Sequence, residues 1–221
     1  MGITHIAMLT AIYNNEKIFP TSGIVAKCPG CGMDVIPAMG KVNVHHWRHK
    51  VDTTCNYQQG ETEWHRKFKS LFPVQFVEVK NGKHISDVFL PNGTCIEFQN
   101  SPINIDDIIS RTANYRNIIW VFNLAKQNMN GQISMTNDSL EYKRCSKYYH
   151  KCGKNLIFDV GQSGSLFIVK SFSYVWNMNS KSGYMERSLM AIGGTIKRES
   201  EFYNYARHID GIEKPITLSL F

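Results

Sequence analysis

Short apolar runs at Ile6–Ile12 and Ile24–Ala26, broken by Asn14-Asn15 and Pro20, predict β-strands at the start of the chain. Beyond Gly60 the period changes. Trp64, Phe68, Leu71 and Phe72 recur at helical spacing within Glu61–Phe72, and Pro73 ends the helix they predict. At about 100° per residue, Glu61 and His65 fall on the border of that apolar stripe and Glu63 falls opposite it. Val74–Lys80 returns to a strand pattern. Ile85 to Gln99 then reads as two alternating strands around a tight turn. Pro91 suits the first central position of a type I turn and Asn92 the second, and Gly93 supplies the left-handed residue of a three-residue loop. That register sets Leu90 opposite Thr94 and, counted back, Asp87 opposite Glu97. Directly opposed residues share a face roughly 5 Å apart, and Gln99 points the same way.

A second helix is predicted from about Asn104 to Tyr115, with Asp106 and Asp107 in its acid-favouring first turn. Its buried face is Ile105, Ile108, Ile109 and Thr112; Arg111 and Tyr115 share one edge. The apolar run Ile118–Leu124 predicts a central buried strand. Leu156–Val160 and Leu166–Phe172 predict another hairpin around Gly161-Gln162-Ser163-Gly164. Residues 184–208 read as one or two helices broken at Gly193-Gly194. The expected fold class is α/β (α+β): a central mixed sheet clasped by helices, behind an N-terminal β-rich segment.

Composition narrows the possibilities. With 221 residues, 43% of them hydrophobic, the chain can bury a real core. No run approaches 18 apolar residues, so no membrane span is expected. Without a cationic leader the chain is expected to be cytoplasmic. A net charge of +7 suits a polyanionic partner. Six cysteines in such a chain point to metal or free thiols rather than disulfides.

The first chemistry lies in Cys28-Pro29-Gly30-Cys31-Gly32, a CxxC that turns sharply enough for both thiolates to reach one ion. His46-Trp47-Arg48-His49 and Cys55 follow. Tetrahedral zinc needs four ligands: Cys28, Cys31, His46 and His49 form the first set, and Cys55 is an alternative to His46. His45 is a weaker candidate. The second chemistry lies in the hairpin, where Asp87 and Glu97 stand on otherwise apolar runs. Like charges so close repel, and a divalent cation is the usual resolution. Glu61, aimed along the buried helix face, is read as a third functional acid, and Glu63 as solvated. Lys143, Arg144, Lys147, Lys151 and Lys154 stand among tyrosines as a nucleic-acid patch or a solvated face. Cys145, His150 and Cys152 lack a fourth ligand for a second metal.

CPGC at 28–31, HWRH at 46–49, ETEWHRKFK at 61–69, ISDV at 85–88, IEFQNS at 96–101, and Arg111 with Tyr115 together resemble the CoiA-like competence protein family. That family joins a zinc-binding segment to a PD-(D/E)XK nuclease core. The resemblance covers about residues 24–124, with a fainter echo in Leu156–Phe172. It implies a restriction-endonuclease-like sheet, with a zinc ribbon over 1–58, a nuclease core over 59–125 and an extension over 126–221. It implies that Asp87 and Glu97 bind Mg²⁺ (or Mn²⁺) with Glu61 joining them. The family's more familiar third-motif lysine is Gln99 here, which cannot ionise; Lys69 or Lys67 can replace it from the helix, Lys69 lying nearer Glu61 and His65. Arg111 and His65 would hold phosphate oxygens, with Tyr115 and Ser101 completing the substrate side. The expected activity is hydrolysis of phosphodiester bonds in DNA, in DNA processing, recombination, competence or defence. The rivals are an inactive zinc-containing nucleic-acid-binding module of the same fold, and a zinc-stabilised scaffold for a partner protein.

Overall fold

The computed structural model describes residues 7–51, 54, 55, 57, 61–81, 84–143, 145, 147–161, 164–178 and 183–209. Gly60, Arg144, Gln162 and Ser163 lie outside the described residues. The chain divides into two compact units, Met1–Phe89 and Leu90–Phe221. This division lies inside the stretch 59–125 that the sequence reads as one core.

The first unit opens with strands β1 (Ala11–Tyr13), β2 (Glu16–Ile18), β3 (Ala26–Lys27), β4 (Asp34–Ala38) and β5 (His46–His49). They form one sheet in the order β2-β1-β3-β4-β5. Its small core is Met8, Ala11, Ala26, Cys28, Val35 and Trp47, with Ile18, Ile24, Cys55 and Tyr57 packed against it. Helix α1 (Glu63–Lys69) follows, then a 3₁₀ turn at Val74–Phe76 and the antiparallel pair β6 (Val77–Asn81) and β7 (His84–Phe89). Helix α1 starts two residues later than its apolar period suggests. Thr62 is its N-cap, and His65 closes a capping box with it.

The second unit opens on the turn. Leu90 N–H donates to Thr94 O and Gly93 N–H to Leu90 O, both at 2.9 Å, and Gly93 has φ +82°. Leu90 therefore pairs with Thr94, as the turn chemistry requires. Strand β8 (Thr94–Gln99), helix α2 (Ile105–Asn114) and β9 (Asn117–Asn123) make a β–α–β unit, with β8 and β9 parallel. Strand β12 (Asn155–Asp159) pairs parallel to β9 on its other side, so β9 is central and Ile118–Phe122 is buried throughout.

The rest of this sheet is antiparallel. Helix α3 (Ala125–Met129) and strands β10 (Ile133–Met135) and β11 (Ser139–Lys143) precede β12. Strands β13 (Ser165–Met178) and β14 (Met185–Lys197) follow it, and α4 (Phe202–His208) comes last. Within this unit the order is β10-β11-β14-β13-β12-β9-β8. The class is thus mixed α/β, dominated by a large mixed sheet with few helices. None of the described helices is long and apolar enough to cross a membrane.

Two expectations fail here. Residues 185–197 are a strand, not a helix, and Gly193-Gly194 sits inside it at a register shift of β13 between Val169 and Ser171. A Cβ on Gly193 would stand 1.9 Å from the Ile168 carbonyl oxygen. The glycine marks a close backbone approach at a bulge rather than a helix break. On α2 only Ile108 is fully buried, while Ile105 and Ile109 are exposed. Gly193→Ala is expected to destabilise the fold by about 1–3 kcal/mol, because the clash is with backbone that cannot rotate away. A denaturant melt checks it, with Gly194→Ala, whose Cβ meets nothing within 4 Å, as the milder control.

Candidate active site and metal centre

Two charged clusters and one Cys/His cluster stand out. In the first unit, Lys69 at the end of α1 has 2% of its side chain exposed. Its ammonium lies 2.7 Å from Glu61 Oε1, 3.3 Å from Glu78 Oε1 and 3.1 Å from Asp87 Oδ1. Burial alone would depress its pKa, but Asp87, Glu78 and Glu61 outweigh that and hold it above the ordinary lysine value. Lys67, two residues earlier, is exposed. Of Lys67 and Lys69, the structure brings Lys69 to the acids.

Glu61 is buried, yet not by helix phase. It precedes the N-cap, where Arg66 Nη1 donates to its carbonyl at 3.0 Å. Burial pushes its carboxyl up to about 7, against the pull of Lys69 and with the push of Glu78 and Asp87. Its Oε2 is buried without a hydrogen-bond partner. Glu63, at the first helical position, is exposed. His65 Nδ1 lies 2.8 Å from Thr62 Oγ1, which makes it part of the helix cap.

Sequence reasoning misses Glu78. It stands in the apolar run Val74–Val79 and carries the same signal as Asp87, an acid placed where solvation is lost. By the register that pairs Val77 with Val88 and Val79 with Ser86, it falls opposite Asp87. Of the three acids, Asp87 is the one open to solvent, with 20% of its side chain exposed.

In the second unit, Glu97 on β8 is buried, and Arg111 Nη1 of α2 lies 2.7 Å from its Oε2. Cys95 Sγ lies 3.7 Å from the other oxygen. Tyr115, just past α2, is buried beside them; burial first, then Cys95 and Glu97, push its phenol up to about 12. Gln99 turns its amide onto the Ser101 carbonyl, and Ser101 itself is exposed.

The Cys/His cluster corrects the first-choice zinc set. Cys28, Cys31, His49 and Cys55 place one ligand atom each within 4.8 Å of one another, and His46 is not among them. HWRH is a strand, so residues three apart face opposite sides. His49 faces inward with Trp47, while His46 turns its Nδ1 to within 3.0 Å of the Val44 carbonyl oxygen.

The four donors fit zinc. Tetrahedral Zn–S bonds of about 2.3 Å imply sulfurs about 3.8 Å apart. Cys28 and Cys55 are 3.8 Å apart, and Cys31 Sγ lies 3.3 Å from His49 Nε2. Burial lowers the His49 pKa, which favours the neutral ligand form. Three thiolates and one imidazole with no open position suit a structural site. Among the described residues this is the one such cluster, and Cys145 and Cys152 are buried thiols whose pKa values burial raises.

A family model, the competence protein CoiA nuclease-like domain, matches residues 79–191. The chain belongs to this family. Neither curated proteins nor solved structures gave a match. Within this CoiA-family chain the matched span begins inside β6 and takes in Asp87, Glu97, Arg111 and Tyr115, whereas Glu61, Lys69 and Glu78 precede it.

Two outcomes follow. Purified protein should carry about one Zn²⁺ per chain by elemental analysis, with Cys55→Ser and His49→Ala losing it and His46→Ala retaining it. Without added divalent cation, Glu61 should make stability fall as pH rises. Its folded pKa of about 7 exceeds the ordinary 4.5, so the unfolded chain ionises it first. The loss between those values is about 3 kcal/mol at most. Glu61→Gln should flatten that slope between about pH 5.5 and 7 in urea melts.

Proposed function

We propose that this protein is a metal-dependent nuclease of the PD-(D/E)XK type that hydrolyses phosphodiester bonds in DNA. The single observation that carries the reading is the buried Lys69 ammonium seated among Glu61, Glu78 and Asp87. A lysine and several acids at one place are the groups this chemistry uses, and Lys69 stands in for the lysine that Gln99 is not.

In this reading the turn chemistry of Pro91-Asn92-Gly93, a sequence argument, sets Asp87 opposite Glu97. Asp87, Glu97 and Glu61 would hold Mg²⁺ or Mn²⁺; the unpartnered Glu61 Oε2 and the half-open Asp87 supply hard oxygen lone pairs. Such an ion neutralises charge on the phosphate and lowers the pKa of water. Lys69 supports the charge that builds on the phosphoryl oxygens as water adds and one P–O ester bond breaks. Arg111, 30% exposed, and Tyr115 face the strand-borne Glu97 and are assigned to the phosphate side, with Ser101 at the rim. His65 is assigned to the helix cap. The net charge of +7 favours approach of a polyanion. DNA rather than RNA rests on the family alone.

Gln99 favours a second reading, a binding module of the same fold that has lost its chemistry. Linear, circular and single-stranded DNA incubated with Mg²⁺, with Mn²⁺ and with neither separates the two. Asp87→Ala and Glu97→Ala should each abolish metal-dependent cleavage and leave DNA affinity intact or improved, because a negative charge near the backbone is removed. Lys69→Met should lower the rate by about 10²–10³-fold, Glu61→Gln by less, and Glu63→Gln not at all. Wild-type protein that binds DNA but never cleaves it with either metal would leave the binding module. Protein that does neither would leave the scaffold.

A further inference from the structure

We propose that the zinc-binding segment is a working part of the nuclease site, with Tyr57 and Thr10 as positioning residues that hold Glu78, which in turn aims Lys69. The inference rests on the nuclease reading for its consequence, and on the first unit alone for its geometry.

Glu78 has φ +54°, a left-handed conformation rare for a residue with a side chain, in a strand whose neighbours pair regularly. Such conformations persist where the surroundings over-determine them, and they cluster at functional sites. Here the surroundings come from the N-terminal sheet. Lys17 Nζ on β2 donates to the carbonyls of Val77 and Glu78 at 2.6 and 3.1 Å, gripping the backbone at the unusual residue. The carboxylate is gripped as well. Its Oε2 accepts from Thr10 Oγ1 and, at 3.1 Å, from Tyr57 OH, while Oε1 faces Lys69 at 3.3 Å.

Both oxygens are engaged and the side chain is fully buried, so Glu78 does not reach substrate. What it does reach is Lys69. Its engaged oxygens also set it apart from Glu61, whose Oε2 has lone pairs to offer an ion. Glu78 fixes the lysine from behind; Asp87, the more open acid, fixes it from the solvent side.

Tyr57 is in turn fixed by the cysteine knuckle. It lies two residues past the zinc-ligand candidate Cys55, and its ring packs onto Gly30 between Cys28 and Cys31. A Cβ on Gly30 would fall 2.4 Å from Tyr57 Cβ, so glycine is what lets the knuckle close down on it. The contacts thus run without a break from knuckle to ammonium: Gly30 to Tyr57, Tyr57 to Glu78, Glu78 to Lys69.

The test uses full-length, zinc-loaded protein carrying Tyr57→Phe or Glu78→Gln. Phe keeps the ring against Gly30 and removes only the hydroxyl; Gln keeps an acceptor for Thr10 and Tyr57 and removes the charge facing Lys69. Each should lower kcat by about 10- to 100-fold, as displacement of a catalytic group does, with KM for DNA and zinc content unchanged. The ¹⁵N ammonium resonance of Lys69, assigned with Lys69→Arg, should shift in both variants. Wild-type kcat in both variants, or an unmoved Lys69 resonance, overturns the inference. A kcat loss that tracks loss of zinc and of melting temperature also overturns it, since that is a structural role. Should wild-type protein not cleave, the resonance decides alone: a shift upholds the positioning chain while the nuclease reading falls, and no shift ends both.

Discussion

An ammonium group taken out of water costs several kcal/mol unless anionic partners replace the hydration it loses. Lys69 is in that position, and Glu61, Glu78 and Asp87 are its replacements. Three carboxylates exceed what one lysine neutralises, so the group as a whole has an electrostatic problem that Lys69 only part-solves. Burial raises the pKa of Glu61, Glu78 and Asp87 add to the push, and a proton kept there relieves part of the excess. A divalent cation would be another form of relief, and the proposed nuclease reading calls on one.

The demands of this cluster account for local features that otherwise look unrelated. Helix α1 is short and capped by Thr62 and His65, which leaves Glu61 outside the helix and free to turn toward Lys69, two turns along. Phe68 and Phe72 are buried near the same helix end. The left-handed residue in β6 turns Glu78 the same way. Glu61 before the cap and the left-handed Glu78 both depart from regular structure, and both bring a charge to Lys69.

The regular parts of the fold are legible in the sequence, and the departures are not. Pro91-Asn92-Gly93 announces its turn because each residue type matches one backbone requirement. The buried strand β9 is legible because the short, dense apolar run Ile118–Leu124 suits a strand covered on both faces and little else. Residues 185–197 mislead because an apolar stretch interrupted by glycines fits a broken helix and a bulged strand equally well, and only the partner strand decides. Helix periodicity turns Glu61 inward for the wrong reason, since it is extended past the N-cap, where it no longer applies. His46 looks preferable to Cys55 because HxxH resembles a ligand pair. On a strand an odd spacing splits such a pair between two faces, so the choice depends on knowing the element first. Glu78 escapes notice because one acid in a strand-like run draws less attention than two facing each other.

The stability of the small N-terminal sheet bears on its candidate zinc site. Its strands are two to five residues long, and its buried core holds Trp47 and Met8 among smaller side chains. Small units with cores of this size commonly depend on a metal or on disulfides. The cysteines are free, and three of them converge with His49 at zinc-binding distances. The metal would therefore set the rigidity of the surface from which Thr10, Lys17 and Tyr57 reach Glu78. A flexible segment could make the same hydrogen bonds some of the time, but it could not hold a left-handed glutamate against its own preference all of the time. The zinc ligands and the acids are then two parts of one device, joined by Glu78.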